Sequence, residues 1–208
     1  MAAKQSKYKR VLLKLSGEVL RNRDKGLCID PDIVDTMAEQ ESDAEIIMIG
    51  KRGEAADFAK GHLGSNLERI VRASHKPVFV ASRAFKPVSK ILVAYDGGAS
   101  AMRAVDHIAR SKLYAGLEAH IVTVGTPNAE VQRGLKDAQA MLKAAGMEAT
   151  VGIIAGPAEQ TLGDLVDENG YDLLVMGAYG HSRIRSLIIG STTTEMIRSC
   201  KVPVVLIR

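Results

Sequence analysis

The chain has 208 residues, 46% of them hydrophobic, enough for a packed core in one large or two small domains. Three phenylalanines, five tyrosines and no tryptophan make that core aliphatic. A balance of 28 basic against 24 acidic residues, with no concentrated basic block, gives no footprint for nucleic acid and suits small anionic ligands equally well.

The opening "MAAKQSKYKR" is basic, but the apolar run behind it is only "VLL" before Lys14 interrupts, so neither a signal peptide nor a membrane span is expected. Cys28 and Cys200 lie far apart without metal-ligand spacing, and reduced thiols in the cytoplasm are the expectation. "YKRVLLKLS" reads as a first strand, followed by a helix from Asp32 to about Gln40. "AEIIMIGKRG" and then "GSNLERIVRASHKPVFVAS" add a strand, a helix and a strand, and "SRAFKPVS" over residues 82–89 reads as a linker.

From about Lys90 the pattern alternates cleanly. "KILVAY", "AHIVTV", "ATVGII", "DLLVMG" and "VPVVLI" are short apolar runs of the buried parallel type. Between them lie helical stripes: Met102, Val105, Ala109 and Leu113; then Val131, Leu135, Ala138, Leu142 and Ala145. Leu162, Leu165 and Val166 follow, in a helix with Pro157 as its first position, and then Met196, Ile197 and Cys200. Five strands alternating with four helices predict an α/β fold, a doubly wound parallel sheet of order 3-2-1-4-5.

The end of this pattern occurs twice. Gly64, Ser65, Arg72 and Pro77 match Gly190, Ser191, Arg198 and Pro203 at one constant offset. Upstream of the first copy there is room for one strand and one helix only. Residues 1–85 therefore read as a truncated half holding strands 1, 4 and 5, and residues 86–208 as a complete domain.

The spacing Gly177-x2-Gly180-x9-Gly190-Ser191, with "ILVAYDGGASA" at the first strand of that half, resembles the universal stress protein family in its tandem two-domain form, over residues 44–208. The resemblance implies an adenine nucleotide alpha hydrolase-like fold that binds ATP, alone or with Mg²⁺. Residues 7–40, with "KLSGE" closing a strand, resemble instead the opening of bacterial uridylate kinase, so the chain looks like a chimera joined near residue 41. That second resemblance implies phosphate contacts for Lys14, Ser16 and Gly17. An acceptor site, a catalytic base and Mg²⁺ ligands are not traceable in 40 residues, so uridylate kinase activity is not expected.

In a doubly wound sheet a ligand sits outside the carboxyl ends of the strands, where the strand order reverses. Here that is the crevice between the strand ending near Tyr95 and the strand ending at Met176. Gly177 and Gly180 let backbone approach a ligand closely. Gly190, Ser191, Thr192 and Thr193 open a helix whose free N–H groups, dipole and hydroxyls suit a phosphate. Three or four charge-assisted bonds of roughly 1.5–3 kcal/mol each would hold a nucleotide at micromolar strength after ordering costs.

The plain alternative is a tight strand–helix turn with Ser191 as N-cap, which explains one glycine and one serine but not the whole spacing. His181, Arg183 and Arg185 either contact phosphate or are solvated. Asp96 either accepts from a ribose hydroxyl or adenine amine, or caps the helix after "GGAS"; the family resemblance implies nucleoside contacts at Ala94, Asp96 and Val124. The first copy is degraded: ten residues separate Gly53 from Gly64, Glu54 and Asp57 intrude, and Asn66 replaces a hydroxyl.

No Ser–His–Asp order, carboxylate pair or metal cluster stands out, so no catalytic residue and no protein metal site is expected, and ATP hydrolysis is at most slow. The five histidines, at 62, 75, 107, 120 and 181, read as surface or packing residues. The competing function is a dimerisation or scaffold protein that binds no nucleotide, or a recombinant chimera without physiological activity. The resemblance further implies that "PVFVA" (77–81) and "PVVLI" (203–207) pair antiparallel within the chain. The truncated half leaves the edge of "KRVLLKL" open apart from Arg10 and Lys14, which predicts self-association through it. Sedimentation at high micromolar concentration is expected to show species larger than a monomer, and a clean monomer would refute the open edge.

Overall fold

Continuous apolar runs become strands because a parallel strand covered on both faces has no polar side to show. The structure, a computed structural model, describes residues 44–50, 67–82 except 68, 69 and 72, residue 84, and residues 86–178 and 191–208. The expected first strand, the helix after it, "KLSGE" and the join near residue 41 lie outside the described residues.

Seven strands are described: β1 Ile47–Gly50, β2 Val78–Ala81, β3 Lys90–Ala94, β4 Glu118–Val124, β5 Glu148–Ile154, β6 Leu173–Gly177 and β7 Val204–Ile207. Four helices with described bounds follow β3 and join the strands from β3 to β7: α1 Ala99–Arg110, α2 Ala129–Ala144, α3 Ala158–Glu168 and α4 Ser191–Ser199. The strands form one sheet of order β1-β2-β7-β6-β3-β4-β5. From β3 onward this is the expected 3-2-1-4-5 arrangement, with every neighbour parallel.

The core has two layers, one on each face of the sheet. The face carrying Ile91, Val93, Ile121 and Val175 packs against α1 and α2 through Ala104, Val105, Ile108, Leu135, Ala138 and Leu142. The opposite face, with Leu92, Val122, Leu174 and Leu206, packs against α3 and α4 through Leu162, Val166, Met196 and Ile197. Cys200 is a free, buried thiol in that second layer.

Two helical readings shift. On α1 the buried stripe is Ala101, Ala104, Val105 and Ile108, whereas Met102 and Ala109 flank it and Leu113 is 40% exposed. The period drawn through Leu113 runs past the end of the helix: α1 stops at Arg110, and Lys112–Tyr114 tighten into a 3-10 turn. Ala145 likewise caps α2 and is exposed. Pro157 is the N-cap of α3 and not its first residue, with an extended ψ of 127°.

The expected antiparallel pairing is present. β2 and β7 align as Val78 with Leu206, Phe79 with Val205 and Val80 with Val204. β1 runs parallel to β2, with the buried helical residues Leu67, Ile70 and Val71 between them in the chain, as β6 runs parallel to β7 around α4. Farther from the junction, the Ser111 hydroxyl donates to Glu45, just before β1. At the start of β3 the Asp172 carboxylate accepts from the Ser89 N–H and hydroxyl and from the Lys90 N–H, over 2.8–3.1 Å. Burial alone would raise the pKa of Asp172, but these donations outweigh it and lower it.

Leu206 is 1% exposed and sits in the junction. Leu206→Ala is expected to cost about 2–5 kcal/mol in a denaturant titration, by lost burial plus the cavity left behind.

Candidate functional site

The candidate crevice lies where β3 has β4 on one side and β6 on the other. The backbone of Tyr95 locks these strand ends together: its N–H donates to Val122 O at 2.8 Å, and its carbonyl accepts from the buried Thr123 hydroxyl at 2.8 Å. The Tyr95 ring turns away from the layer that holds Ala94 and Val124. It is 4% exposed and packs in the layer of α1 and α2, where a Cβ added at Gly134 would run into its hydroxyl. Burial first, then the charges of Asp96, Asp137 and Glu130, raise its pKa, which keeps the phenol neutral. Tyr95 thus offers the crevice its backbone and not its side chain.

Asp96 is exposed, and its Oδ1 accepts from the Gly98 N–H at 2.8 Å. It is not the N-cap; Gly98 is, without a side-chain cap bond. Gly97 makes this turn with φ +80°, and a Cβ there would meet Val131 Cγ2 at 2.7 Å. Ala94, Val124 and Met176 share the layer of α3 and α4, with Met176 5% exposed. Their proximity at the strand ends makes an apolar floor.

Gly177 ends β6. A Cβ there would clash with the Ser100 side chain in the first turn of α1 and come within 3.1 Å of the Ala101 N. The absence of a side chain at Gly177 therefore has a reason inside the protein, the close approach of β6 to α1. Its carbonyl accepts from the Thr193 hydroxyl at 3.4 Å. The α4 helix opens with Ser191 exposed, Thr192 half-buried and Thr193 4% exposed. The Thr192 hydroxyl donates to Glu159 Oε1, in the first turn of α3, at 3.4 Å. Gly180, His181, Arg183, Arg185 and Gly190 lie outside the described residues, as do Gly53, Glu54, Asp57, Gly64 and Asn66 of the first copy.

Ala94, Asp96, Val124, Met176, Gly177, Ser191, Thr192 and Thr193 thus fall at one end of the sheet. Ser100, Thr123 and Glu159 join them and were not expected. Glu159 had a signal: two residues past Pro157, it follows the carboxyl end of a parallel strand, and that end is the ligand edge. Of the described histidines, His107 packs edge-on against Tyr114 and His120 contacts Tyr171. Among the described residues no cluster of three or more His, Cys, Asp or Glu could hold a metal ion, and no helix is long and apolar enough to cross a membrane.

Residues 128–208 match the model of the Universal stress protein family. The chain is 43% identical over 178 residues to Universal stress protein Slr1230 of Synechocystis sp., covering 85% of this chain and 62% of that one. A crystal structure of a universal stress protein from Archaeoglobus fulgidus superposes with a TM-score of 0.65 at 27% identity, over 84% of this chain and 64% of that chain. A universal stress protein in complex with cAMP superposes with a TM-score of 0.50 at 29% identity, over 59% of this chain and 98% of that chain. The chain thus spans a little over three-fifths of the length of the Synechocystis and Archaeoglobus relatives.

Gly177→Ala is expected to destabilise the fold by about 1–3 kcal/mol through overpacking against Ser100. Adding Ser100→Gly should recover much of that loss, so a double-mutant cycle of thermal unfolding should give a clear coupling energy. Additive losses would mean that the two residues do not meet.

Proposed function

We propose that the chain carries a universal stress protein domain and that the crevice at the ends of β3 and β6 binds one adenine nucleotide per chain. The observation that carries this reading is a coincidence of place. The point where strand order reverses is also where Gly177 brings backbone close and where α4 opens with Ser191, Thr192 and Thr193. The cAMP complex of a relative adds support for the ligand class. The apolar floor of Ala94, Val124 and Met176 suits a purine, the Asp96 carboxylate suits a ribose hydroxyl, and the α4 terminus suits phosphate. ATP is the proposed ligand, held through the Gly177-x2-Gly180-x9-Gly190-Ser191 spacing with His181 alongside, and hydrolysed slowly at most. Mg²⁺ would come with the phosphates, where it neutralises charge.

The first copy binds no nucleotide in this reading. β1 and β2 are the remnant of a second, tandem half, grafted near residue 41 to a uridylate-kinase-like opening that contributes no transferase activity. The proposed setting is the cytoplasm, with self-association through the truncated half.

Calorimetry with ATP is expected to give one site per chain at micromolar affinity. Gly190→Val should weaken binding by roughly a hundredfold or more, the loss of two or more charge-assisted bonds, while Gly64→Val leaves it intact. Two sites per chain, or loss on the Gly64 change alone, would place the nucleotide elsewhere. Turnover of UMP in a coupled assay would revive the kinase reading.

A further inference from the structure

At the amino end of the sheet, away from the candidate crevice, a cluster of side chains fastens residues 169–172, the connection between α3 and β6. Asp172, which accepts from Ser89 and Lys90, also donates its own N–H to the Lys90 carbonyl at 2.9 Å. Lys90 Nζ donates to the Asn169 carbonyl at 3.3 Å and lies 4.7 Å from the centre of the Tyr171 ring. From β4, His120 stacks on that ring with centroids 5.9 Å apart, and its Nδ1 meets the Tyr171 hydroxyl. Tyr171 is 4% exposed and His120 half-buried.

Burial raises the Tyr171 pKa, so the phenol keeps its proton and donates it. His120 Nδ1 is then the acceptor, which places the imidazole proton on Nε2. Nε2 stands against Gly152 of β5, where a Cβ would come within 2.9 Å of it. Beside it lies a cavity of about 60 Å³ that His120 lines with Lys90, Glu118, Glu148 and Thr150. The charged groups around the ring are thus Lys90 from β3, Glu118 on its own strand and Glu148 from β5. From α3, Leu162 and Val166 face this layer, and Asp167 is paired with Lys201. Both glutamates are exposed, and burial, followed by the Lys90 charge, lowers the His120 pKa.

We propose that His120 works as a proton-operated clamp: neutral, it holds the α3–β6 connection to β4 through Tyr171, and protonated, it releases that connection. An imidazolium carries a hydrogen on Nδ1, which confronts the phenol proton. To accept from the new N–H, the buried phenol must give up the acceptor it has, and an unmatched buried donor is costly. Lys90 then adds a second positive charge beside the ring. A histidine held neutral in this way stabilises the fold fully above its ordinary value of about 6.5, and the contribution drains away as pH falls below that value. His107 acts in the same direction, burial outweighing the charges of Glu45 and Asp106, and adds to the same slope. The clamp stands apart from the nucleotide reading, since it lies at the other end of β6 from Gly177.

The test is a pH series on the full chain from about pH 8 to about pH 5, read by urea titration and by amide hydrogen exchange corrected for intrinsic rates. His120→Asn keeps an acceptor near the Nδ1 position and does not titrate. His107 is common to both proteins, so the difference in stability between them reads His120 alone. The natural chain should lose stability relative to His120→Asn as pH falls through the histidine range. Near the acid end, the Lys90 and Asp172 amides should lose protection by roughly fivefold, the worth of one hydrogen bond, while those of Val204–Ile207 keep theirs. Tyr171→Phe removes the donor, so the His120 imidazole signal should titrate closer to its ordinary value and the two amides should be weakly protected at every pH. That variant keeps the test decisive if the asparagine disturbs folding. Equal pH dependence in the natural chain and His120→Asn, or a His120 titration that leaves the Lys90 and Asp172 amides unchanged, would overturn the clamp and leave His120 a packing residue.

Discussion

The pairing of β3 with β4 on one side and β6 on the other is the constraint from which the rest follows. Ile91, Leu92 and Val93 are wholly buried, so the strand must be covered on both faces and both edges. Crossovers between parallel strands keep one hand, so moving outward in opposite directions from β3 puts α1 and α2 on one face and α3 and α4 on the other. Where strand order reverses, the carboxyl ends of such strands are the general place for a ligand, and the site proposed above lies there. Tyr95 reinforces the geometry from within, its backbone tied to β4 and its ring sunk under α2.

Several of the candidate site residues also have packing roles. Gly177 is small because Ser100 stands against it, and the bareness that permits this contact also leaves backbone open near the crevice. Thr193 is buried and hydrogen-bonded to the Gly177 carbonyl, which anchors the start of α4. Thr192 holds Glu159 and so couples α3 to α4. Site geometry and helix packing are therefore not separable by deleting one side chain.

Much of the fold was legible because buried parallel strands leave continuous apolar runs. "KILVAY", "DLLVMG" and "VPVVLI" became β3, β6 and β7, while the β2–β7 pairing was expected only through the family resemblance. What was misread depended on where elements stop. Leu113 keeps helical period with Val105 and Ala109, yet the helix ends three residues earlier, because periodicity carries no information about termination. Pro157 suited either side of a boundary, since its fixed φ fits both. The gathering of Ala94, Asp96, Val124 and Met176 at one end of the sheet was legible from topology. The facing of the Tyr95 ring follows from strand alternation, which points neighbours Ala94 and Tyr95 to opposite faces. Only position marked Glu159, just past the carboxyl end of β5, while its contact with Thr192 and that of Ser100 with Gly177 are long-range and no local pattern encodes them.

The antiparallel junction also bears on how the molecule is made. β7 is buried at all four positions, wedged between β2 and β6, yet its partner Val78 precedes Leu206 by most of the described sequence. Such a distant pairing is slow, because the loop entropy must be overcome before the contact rewards it. Until β7 docks, "VFVA" presents an unpaired apolar edge, a template for any other copy of the same strand. The β2–β7 ribbon of the finished sheet is thus the surface most exposed to wrong partners during folding, and yield at high expression should depend on how fast that one strand arrives.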